Sequence, residues 1–476
     1  MRLLIVSNRL PVTVEKKGKK FKIKQSIGGL VSGINDYLNM IEHSDFLKFD
    51  HLWIGSSGIV TESKNKEELT KIFLNDYSCQ PIYLPEEVME KFYYGFCNKA
   101  LWPLFHSFPS YVEYNDEYWQ IYQEVNFIFT QQILKVIKPE DMVWVHDYHL
   151  MLLPQMLRNE IPQNKIAFFL HIPFPNIDIF SILPQEWCSE ILQGILGADV
   201  VGFHIDEYLR NFLYCAKQFL GYKYKRGNIL LIDNRLVKAG SFPIGIDFQK
   251  YFEALKNKNI VDKVKKLKQN LKNYKVLLSI DRLDYSKGIA NRLKGYELFL
   301  ENNPQYWEKV VLVMVIVPSR VGIEQYQRTE KQIDELIGRI NGRFGNVNWI
   351  PILFQTSFLP FEDLVSYYNI ADIAFIVPLR DGMNLIAKEY IASRADGTGV
   401  LILSELAGAS KELTKAILVN PYNISAIASS IKEALEIPVE EQISRNRKMQ
   451  EVLKRNHIGK WGNDIIKRLL PISINN

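Results

Sequence analysis

Hydrophobic positions in this chain fall in short unbroken runs rather than in strict alternation. Residues 3–6, 51–55, 142–145, 166–170 and 198–203 are mainly apolar, each followed by a polar or glycine-containing connection. Such runs are what strands buried on both faces require, and those strands belong to parallel sheets covered by helices. Segments 116–136 and 183–196 between them have the spacing of helices. The alternation predicts one doubly wound α/β domain of five or six strands, closing near Pro243 and Gly245. A lysine-rich helix in the 256–275 stretch then opens a second unit. Runs at 276–280, 310–317, 348–353, 372–376 and 400–404 repeat the pattern. Two α/β domains with charged loops at their strand ends predict a ligand cleft between them.

Length agrees with this division, because 476 residues exceed one ordinary core. Hydrophobic residues make up 47% and charged residues 23%, which marks a globular chain. The net charge of +5, from 58 basic and 53 acidic residues, is too small to argue for nucleic acid or a membrane surface. Cys79, Cys97, Cys188 and Cys215 form no C-x-x-C pair, so buried reduced thiols and a cytoplasmic protein are expected. The N-terminus lacks the apolar core of a signal peptide, and no window reaches the roughly 18 apolar residues of a membrane helix.

Candidate chemistry gathers where the predicted strands end, the place at which open α/β sheets hold ligands. Arg9 follows the first strand and reads as an anion ligand or a surface ion-pair partner. Gly28 and Gly29 open a helix and would let backbone approach a phosphate, although the pattern is neither a Walker loop nor a dinucleotide fingerprint. The aromatic stretch around Tyr93, Tyr94 and Trp102 reads as core or as a sugar-binding surface. In His146-Asp147-Tyr148-His149, no distant third ligand supports a metal, and Asp147 is the better candidate for binding hydroxyls. His171 enters a loop stiffened by Pro173 and Pro175. Arg282 and Lys287 lie across a turn and either converge on one diphosphate or stand as solvated cations. Arg320 hangs off the strand at 310–317. Finally, V-P-L-R-D-G-M-N-L-I-A-K-E-Y, residues 377–390, joins a buried strand to a helix whose first amides favour an anionic or hydroxyl-rich ligand, flanked by Asp381 and Glu389.

Several of these segments resemble the trehalose-6-phosphate synthase family. They are V-S-N-R-L-P from Val6, L-W-P-L-F-H from Leu101, W-V-H-D-Y-H-L from Trp144 and F-F-L-H-I-P-F-P from Phe168. G-A-D-V-V-G-F-H from Gly197, D-R-L-D-Y-S-K-G from Asp281, G-R-I-N-G-R-F-G from Gly338 and P-L-R-D-G-M-N-L-I-A-K-E-Y from Pro378 complete the set, in the family's order. The resemblance implies a GT-B fold: two Rossmann-like doubly wound domains, 1–246 for the acceptor and 247–455 for the nucleotide-sugar, facing a central cleft. A C-terminal helix, 456–476, would cross back to the N-terminal domain. It also implies a retaining glucosyltransferase that makes trehalose 6-phosphate from a nucleotide-glucose, foremost UDP-glucose, and glucose 6-phosphate, with no cofactor and no metal.

Carried over motif by motif, Gly28, Gly29, Arg282 and Lys287 would hold the donor diphosphate. Asp381 and the backbone of Gly382, Met383, Asn384 and Leu385 would hold the donor glucose, Glu389 the ribose, and His171 would lie beside the sugar. Arg9, Tyr93 and Arg320 would gather the acceptor phosphate, with Trp102 lining that side and Asp147 binding acceptor hydroxyls. Arg282, Lys287, Asp381, His171 and Asp147 are the expected catalytic set, with no covalent nucleophile. Two positions depart from the family pattern, Ser56 where tryptophan is usual and Tyr94 where asparagine is common. Both fall on the acceptor side, which leaves open another phosphorylated acceptor, as in a glucosylglycerol-phosphate synthase. A catalytically silent sugar-phosphate-binding regulator is the reading from another class. No nucleic acid or membrane partner is expected, self-association is left open, and a separate phosphatase would act on the product.

Overall fold

The computed structural model of the protein describes residues 2–17, 20–25, 28–42, 49–59, 63–225, 227–320 and 322–470. They pack into two units: Met1–Ile244 together with Ile458–Asn476, and Gly245–His457.

The strands of the first unit are β1 (Arg2–Arg9), β2 (Val12–Lys17), β3 (Lys20–Gln25), β4 (Asp50–Ser56), β5 (Cys79–Ile82), β6 (Met142–His146), β7 (Lys165–Phe169), β8 (Val200–Phe203), β9 (Tyr224–Lys225), β10 (Ile229–Ile232) and β11 (Arg235–Ser241). Nine of them form one sheet in the order β5-β4-β1-β6-β7-β8-β11-β10-β9, while β2 and β3 make a separate antiparallel pair. Pairing is parallel from β5 through β11 and antiparallel across β10 and β9. The sheet exceeds the expected five or six strands because β5, β9 and β10 are only 4, 2 and 4 residues long and β9–β11 are partly exposed, so none of them reads as a long buried run. Leu3 to Val6 of β1 are fully buried, as a strand covered on both faces must be.

The second unit holds β12 (Lys275–Arg282), β13 (Val310–Val317), β14 (Ile352–Thr356), β15 (Ile373–Ile376), β16 (Val400–Ser404) and β17 (Ile417–Val419). Its sheet is parallel throughout, in the order β14-β13-β12-β15-β16-β17. The apolar run of β13 is buried along nearly its whole length and packs with Phe299 and Ile340 of the covering helices. The strand expected at 348–353 begins only at Ile352. Asn346 accepts a hydrogen bond from the Asn348 amide (2.9 Å), so this asparagine-rich segment turns instead of extending.

Both sheets reverse direction at one point. In the first unit the chain winds outward from β1 through β4 to β5 and returns to β6 on the opposite side of β1; in the second, β12 and β15 are the corresponding neighbours. Loops at the carboxyl ends of such a pair splay apart and leave room for a ligand. The C-terminal helix, Ile458–Leu469, belongs to the first unit, and its Trp461 ring lies 5.0 Å from Trp144 and 5.2 Å from Phe169. Gly462 next to it allows that approach, since a Cβ there would stand 2.3 Å from the Tyr37 ring.

Candidate active site

At the reversal point of the second unit, Arg282 ends β12 and is exposed. Asp284 then accepts a hydrogen bond from the Ser286 amide (2.9 Å), closing a single turn that delivers Lys287. Gly288 takes a left-handed φ of 64°, and a Cβ on it would stand 2.5 Å from the carbonyl oxygen of Val377. The loop after β15 is laced to this turn, because Leu379 and Arg380 both donate their amides to the Ser286 carbonyl, at 2.8 and 3.2 Å. Lys287 Nζ therefore reaches Asp381 Oδ2 at 2.6 Å, with both side chains mostly buried. Asn384 Nδ2 also donates to Asp381 Oδ2 (3.1 Å), and its Oδ1 accepts from the Ala387 amide (3.0 Å), capping the helix Leu385–Ser393. Asn384 sits at φ 77°, which asparagine tolerates better than most residues.

Gly382 and Met383 are buried between these groups, and Met383 turns its carbonyl to the Ala409 amide (2.7 Å). Further along the helix, Glu389 Oε2 accepts from the Tyr368 hydroxyl at 2.7 Å. Beneath the turn lies Arg292, fully buried, which donates to Ser279 Oγ and Asp281 Oδ2 at 2.6 Å, to the Phe375 carbonyl at 2.9 Å and to the Lys287 carbonyl at 2.8 Å. Burial pushes the Asp281 carboxyl up, while Arg292 and Lys287 pull it down. Arg292 and Tyr368 were not singled out from sequence. For Arg292 a signal exists, an arginine inside an otherwise apolar helix face five residues after Lys287.

At the reversal point of the first unit, Asp147 follows β6 with φ 74° and ψ 170°, a region that is essentially glycine's. The chain is held there from both sides: the Asp147 amide donates to the Phe169 carbonyl (2.8 Å), and Asp147 Oδ1 accepts from the His171 amide (3.2 Å). His146 Nδ1 and His171 Nε2 are 3.1 Å apart, and the His204 ring lies 5.4 Å beyond His171. Burial holds both His146 and His171 well below the ordinary imidazole range, so both rings are neutral near pH 7.

The Arg9 guanidinium lies over the Tyr93 ring at 4.8 Å, and Tyr93 stacks on His149 at 5.8 Å. His149 meets Tyr148 at 3.9 Å, and Tyr148 meets Trp102 at 5.6 Å. Arg9, Tyr93 and Trp102 are thus joined through one aromatic chain, although Trp102 is only 4% exposed and presents little surface. Tyr93 stands on a π-helix, Glu90–Leu101, whose wider turn is often associated with functional sites. Arg320 belongs to the second unit, where its guanidinium donates to Asp284 Oδ2 (2.7 Å) and meets the Tyr326 hydroxyl. Gly28 and Gly29 are exposed at the start of the helix Gly29–Glu42, with open space at the Gly28 Cβ position; Ser26 and Ile27 of the expected turn lie outside the described residues. Ser56 is buried at the end of β4, and its hydroxyl accepts from the Gly58 amide (3.3 Å). Tyr94 is exposed, with its ring edge-on to Tyr93 at 5.2 Å. Among the described residues, no group of three His, Cys, Asp or Glu side chains is placed to hold a metal ion, and no helix is long and apolar enough to cross a membrane.

The chain is similar to known proteins in sequence and in fold. The bifunctional trehalose-6-phosphate synthase/phosphatase of Thermoproteus tenax is 44% identical over 99% of this chain, which spans 64% of that protein's length. The UDP-forming α,α-trehalose-phosphate synthase of Candida albicans is 39% identical, with 98% of this chain and 97% of that protein aligned. Among solved structures, the UDP-forming α,α-trehalose-phosphate synthase of Burkholderia xenovorans in complex with glucose-6-phosphate superposes with a TM-score of 0.87 at 30% identity, covering 98% of this chain and 100% of that one. The fold is accordingly GT-B. Glycosyltransferase family 20 matches residues 1–470, and the chain belongs to that family.

Proposed function

We propose that the protein is a retaining glucosyltransferase that joins the glucose of UDP-glucose to the anomeric hydroxyl of glucose 6-phosphate, giving trehalose 6-phosphate and UDP. The observation that carries this reading is the Lys287–Asp381 pair at the reversal point of the second sheet, beside a carboxylate fixed by Tyr368. The relatives named as UDP-forming and the neighbour bound to glucose-6-phosphate supply the two substrates.

An ammonium has three N–H bonds to give. Lys287 spends one on Asp381, which leaves two for a diphosphate, and Arg282 at the strand end adds a second cation. These charges would offset the negative charge that grows on the leaving phosphate, the largest electrostatic demand of the step. Gly28 and Gly29 would close backbone over the same phosphates. Asp381 and the backbone of Gly382, Met383, Asn384 and Leu385 would hold the glucose, Glu389 the ribose, and His171 a sugar hydroxyl. On the acceptor, Arg9, Tyr93 and Arg320 would bind phosphate, Trp102 would back that surface and Asp147 would take hydroxyls. The bond from the anomeric carbon to the diphosphate breaks as the bond to the acceptor oxygen forms on the same face, and the acceptor proton passes to the departing phosphate oxygen. No side chain needs to become covalently attached, so positioning and charge supply the rate.

The burial of all four cysteines supports a reducing compartment and hence the cytoplasm. The phosphate ester of the product calls for a phosphatase to release the free disaccharide. The test is nucleotide release by the purified protein with UDP-glucose and either glucose 6-phosphate or glycerol 3-phosphate. Release dependent on glucose 6-phosphate is expected. Release with glycerol 3-phosphate alone would transfer the assignment to a different acceptor, and release with neither, whichever nucleotide-glucose is supplied, would leave only a binding role.

A further inference from the structure

The mechanism above gives His146 no part, yet this residue is entirely buried at the end of β6 and points one ring nitrogen at His171. Its ring is enclosed by Trp144, at 4.7 Å, and by Trp461 and His171. Nδ1 lies 3.1 Å from His171 Nε2, and Nε2 is buried with no hydrogen-bond partner among the described residues.

Two neutral imidazoles sharing one hydrogen bond have two arrangements. If His171 donated from Nε2, His146 would carry its proton on Nε2 and bury an N–H that nothing accepts. If His146 donates from Nδ1, its buried Nε2 is a bare ring nitrogen, and the N–H outside the pair moves to Nδ1 of His171, a residue that is only partly buried. Buried donors without an acceptor are the rarer and costlier case, so the second arrangement is favoured. The neutrality it needs comes from burial, which keeps both rings from charging.

We propose that His146 is a positioning residue that fixes the tautomer of His171: His146 donates its Nδ1 proton to His171 Nε2, and His171 therefore keeps its own proton on Nδ1. His171 Nδ1 has no hydrogen-bond partner among the described residues, so the ring has one N–H left to offer a ligand. Its Asp147 neighbour fixes the backbone amide rather than the ring. Taken with the reading that His171 lies beside the donor glucose, on which this last step rests, the site presents a donor and not an acceptor to that sugar's oxygen. Discrimination would follow, because a sugar lacking that oxygen leaves the N–H unpaired.

Long-range proton–nitrogen correlation spectra of the ligand-free protein carrying isotope-labelled histidine read the tautomers directly, whether or not the enzyme is active. Nδ1–H on both His146 and His171 is expected; Nε2–H on His171 overturns the proposal. In a second arm, His146→Phe keeps the shape and loses the donor, while His146→Asn places an amide N–H where Nδ1 stood. The phenylalanine variant should raise the KM for UDP-glucose about tenfold with the KM for glucose 6-phosphate within about twofold, and the asparagine variant should recover most of that loss. A phenylalanine variant whose His171 still keeps its proton on Nδ1 would remove His146 from the role. The expected tautomers with no change in donor KM would support the histidine pair and overturn instead the placement of His171 at the sugar.

Discussion

Asp147 carries a backbone conformation that suits glycine, and its carboxylate holds the His171 amide. Strain of this kind costs about 1 to 3 kcal/mol and persists only where the surroundings enforce it. Asp147→Gly should relieve it, whereas Asp147→Ala keeps the strain and loses the same hydrogen bond. The glycine variant is therefore expected to be more stable than the alanine variant by about 1 to 3 kcal/mol in urea unfolding, with both impaired toward the acceptor. Equal stability would show that the backbone stores no strain there. Arg9 makes a narrower claim. Its guanidinium packs on Tyr93, and Arg9→Ala should raise the acceptor KM far more than the donor KM, by the equivalent of about 1.5 to 3 kcal/mol. Steady-state kinetics with each substrate varied would expose an equal loss, which would count against the phosphate role. The histidines give a pH dependence with a definite sign. His146 and His171 are depressed when folded, whereas in the unfolded chain they titrate near the ordinary value of about 6.5. Below that pH the unfolded chain binds protons that the folded protein refuses, so this contribution to stability is whole above about pH 6.5 and declines as pH falls. Thermal midpoints between about pH 8 and 5 should show the decline, and His146→Asn should flatten it.

Among the elements, the turn after β12 and the loop after β15 act as one piece. Ser286 accepts two amides from the β15 loop, Arg292 grips both strands and the Lys287 carbonyl, and Gly288 lies flush against the Val377 carbonyl. A methyl at Gly288 would both strain a left-handed backbone, at about 1 to 2 kcal/mol, and wedge the two loops apart. Gly288→Ala should therefore cut kcat/KM for the nucleotide-sugar by about tenfold or more, because Lys287 and Asp381 would separate. Unchanged kinetics in a folded variant would mean that the lacing does not position the pair. Apolar runs marked most strands of this sheet, β13 and β16 among them, since a strand with no solvent face has no room for polar residues. β14 was placed too early because Asn346 and Asn348 form their own turn.

In the whole molecule, the first unit is assembled from two distant parts of the chain, since the helix Ile458–Leu469 belongs with the described residues before Gly245. Trp461 supplies one wall of the cluster formed by Tyr37, Trp144 and Phe169. Truncating a buried aromatic residue costs about 3 to 5 kcal/mol, so Trp461→Ala should lower Tm by several degrees. A fragment ending at Ile244 should bind a hydrophobic dye that the full chain does not. An unchanged Tm would show that the helix only covers a surface already stable without it.

Alternating apolar runs and helical segments by themselves determined the two α/β units, because burial on both faces of a parallel strand imposes its pattern locally. The strand-end residues Arg9, Asp147, His171, Arg282, Lys287 and Asp381 were visible for the same reason. Only the tertiary structure decided who meets whom. Lys287 and Asp381 are 94 positions apart and touch because β12 and β15 are neighbours where the sheet reverses. His146 and His171 meet because β6 lies beside β7. Arg320 turned out to be held by Asp284 and Tyr326, a pairing that its place after β13 does not reveal. Strand order is a property of how the sheet closes on its helices, and no local spacing of residues encodes it.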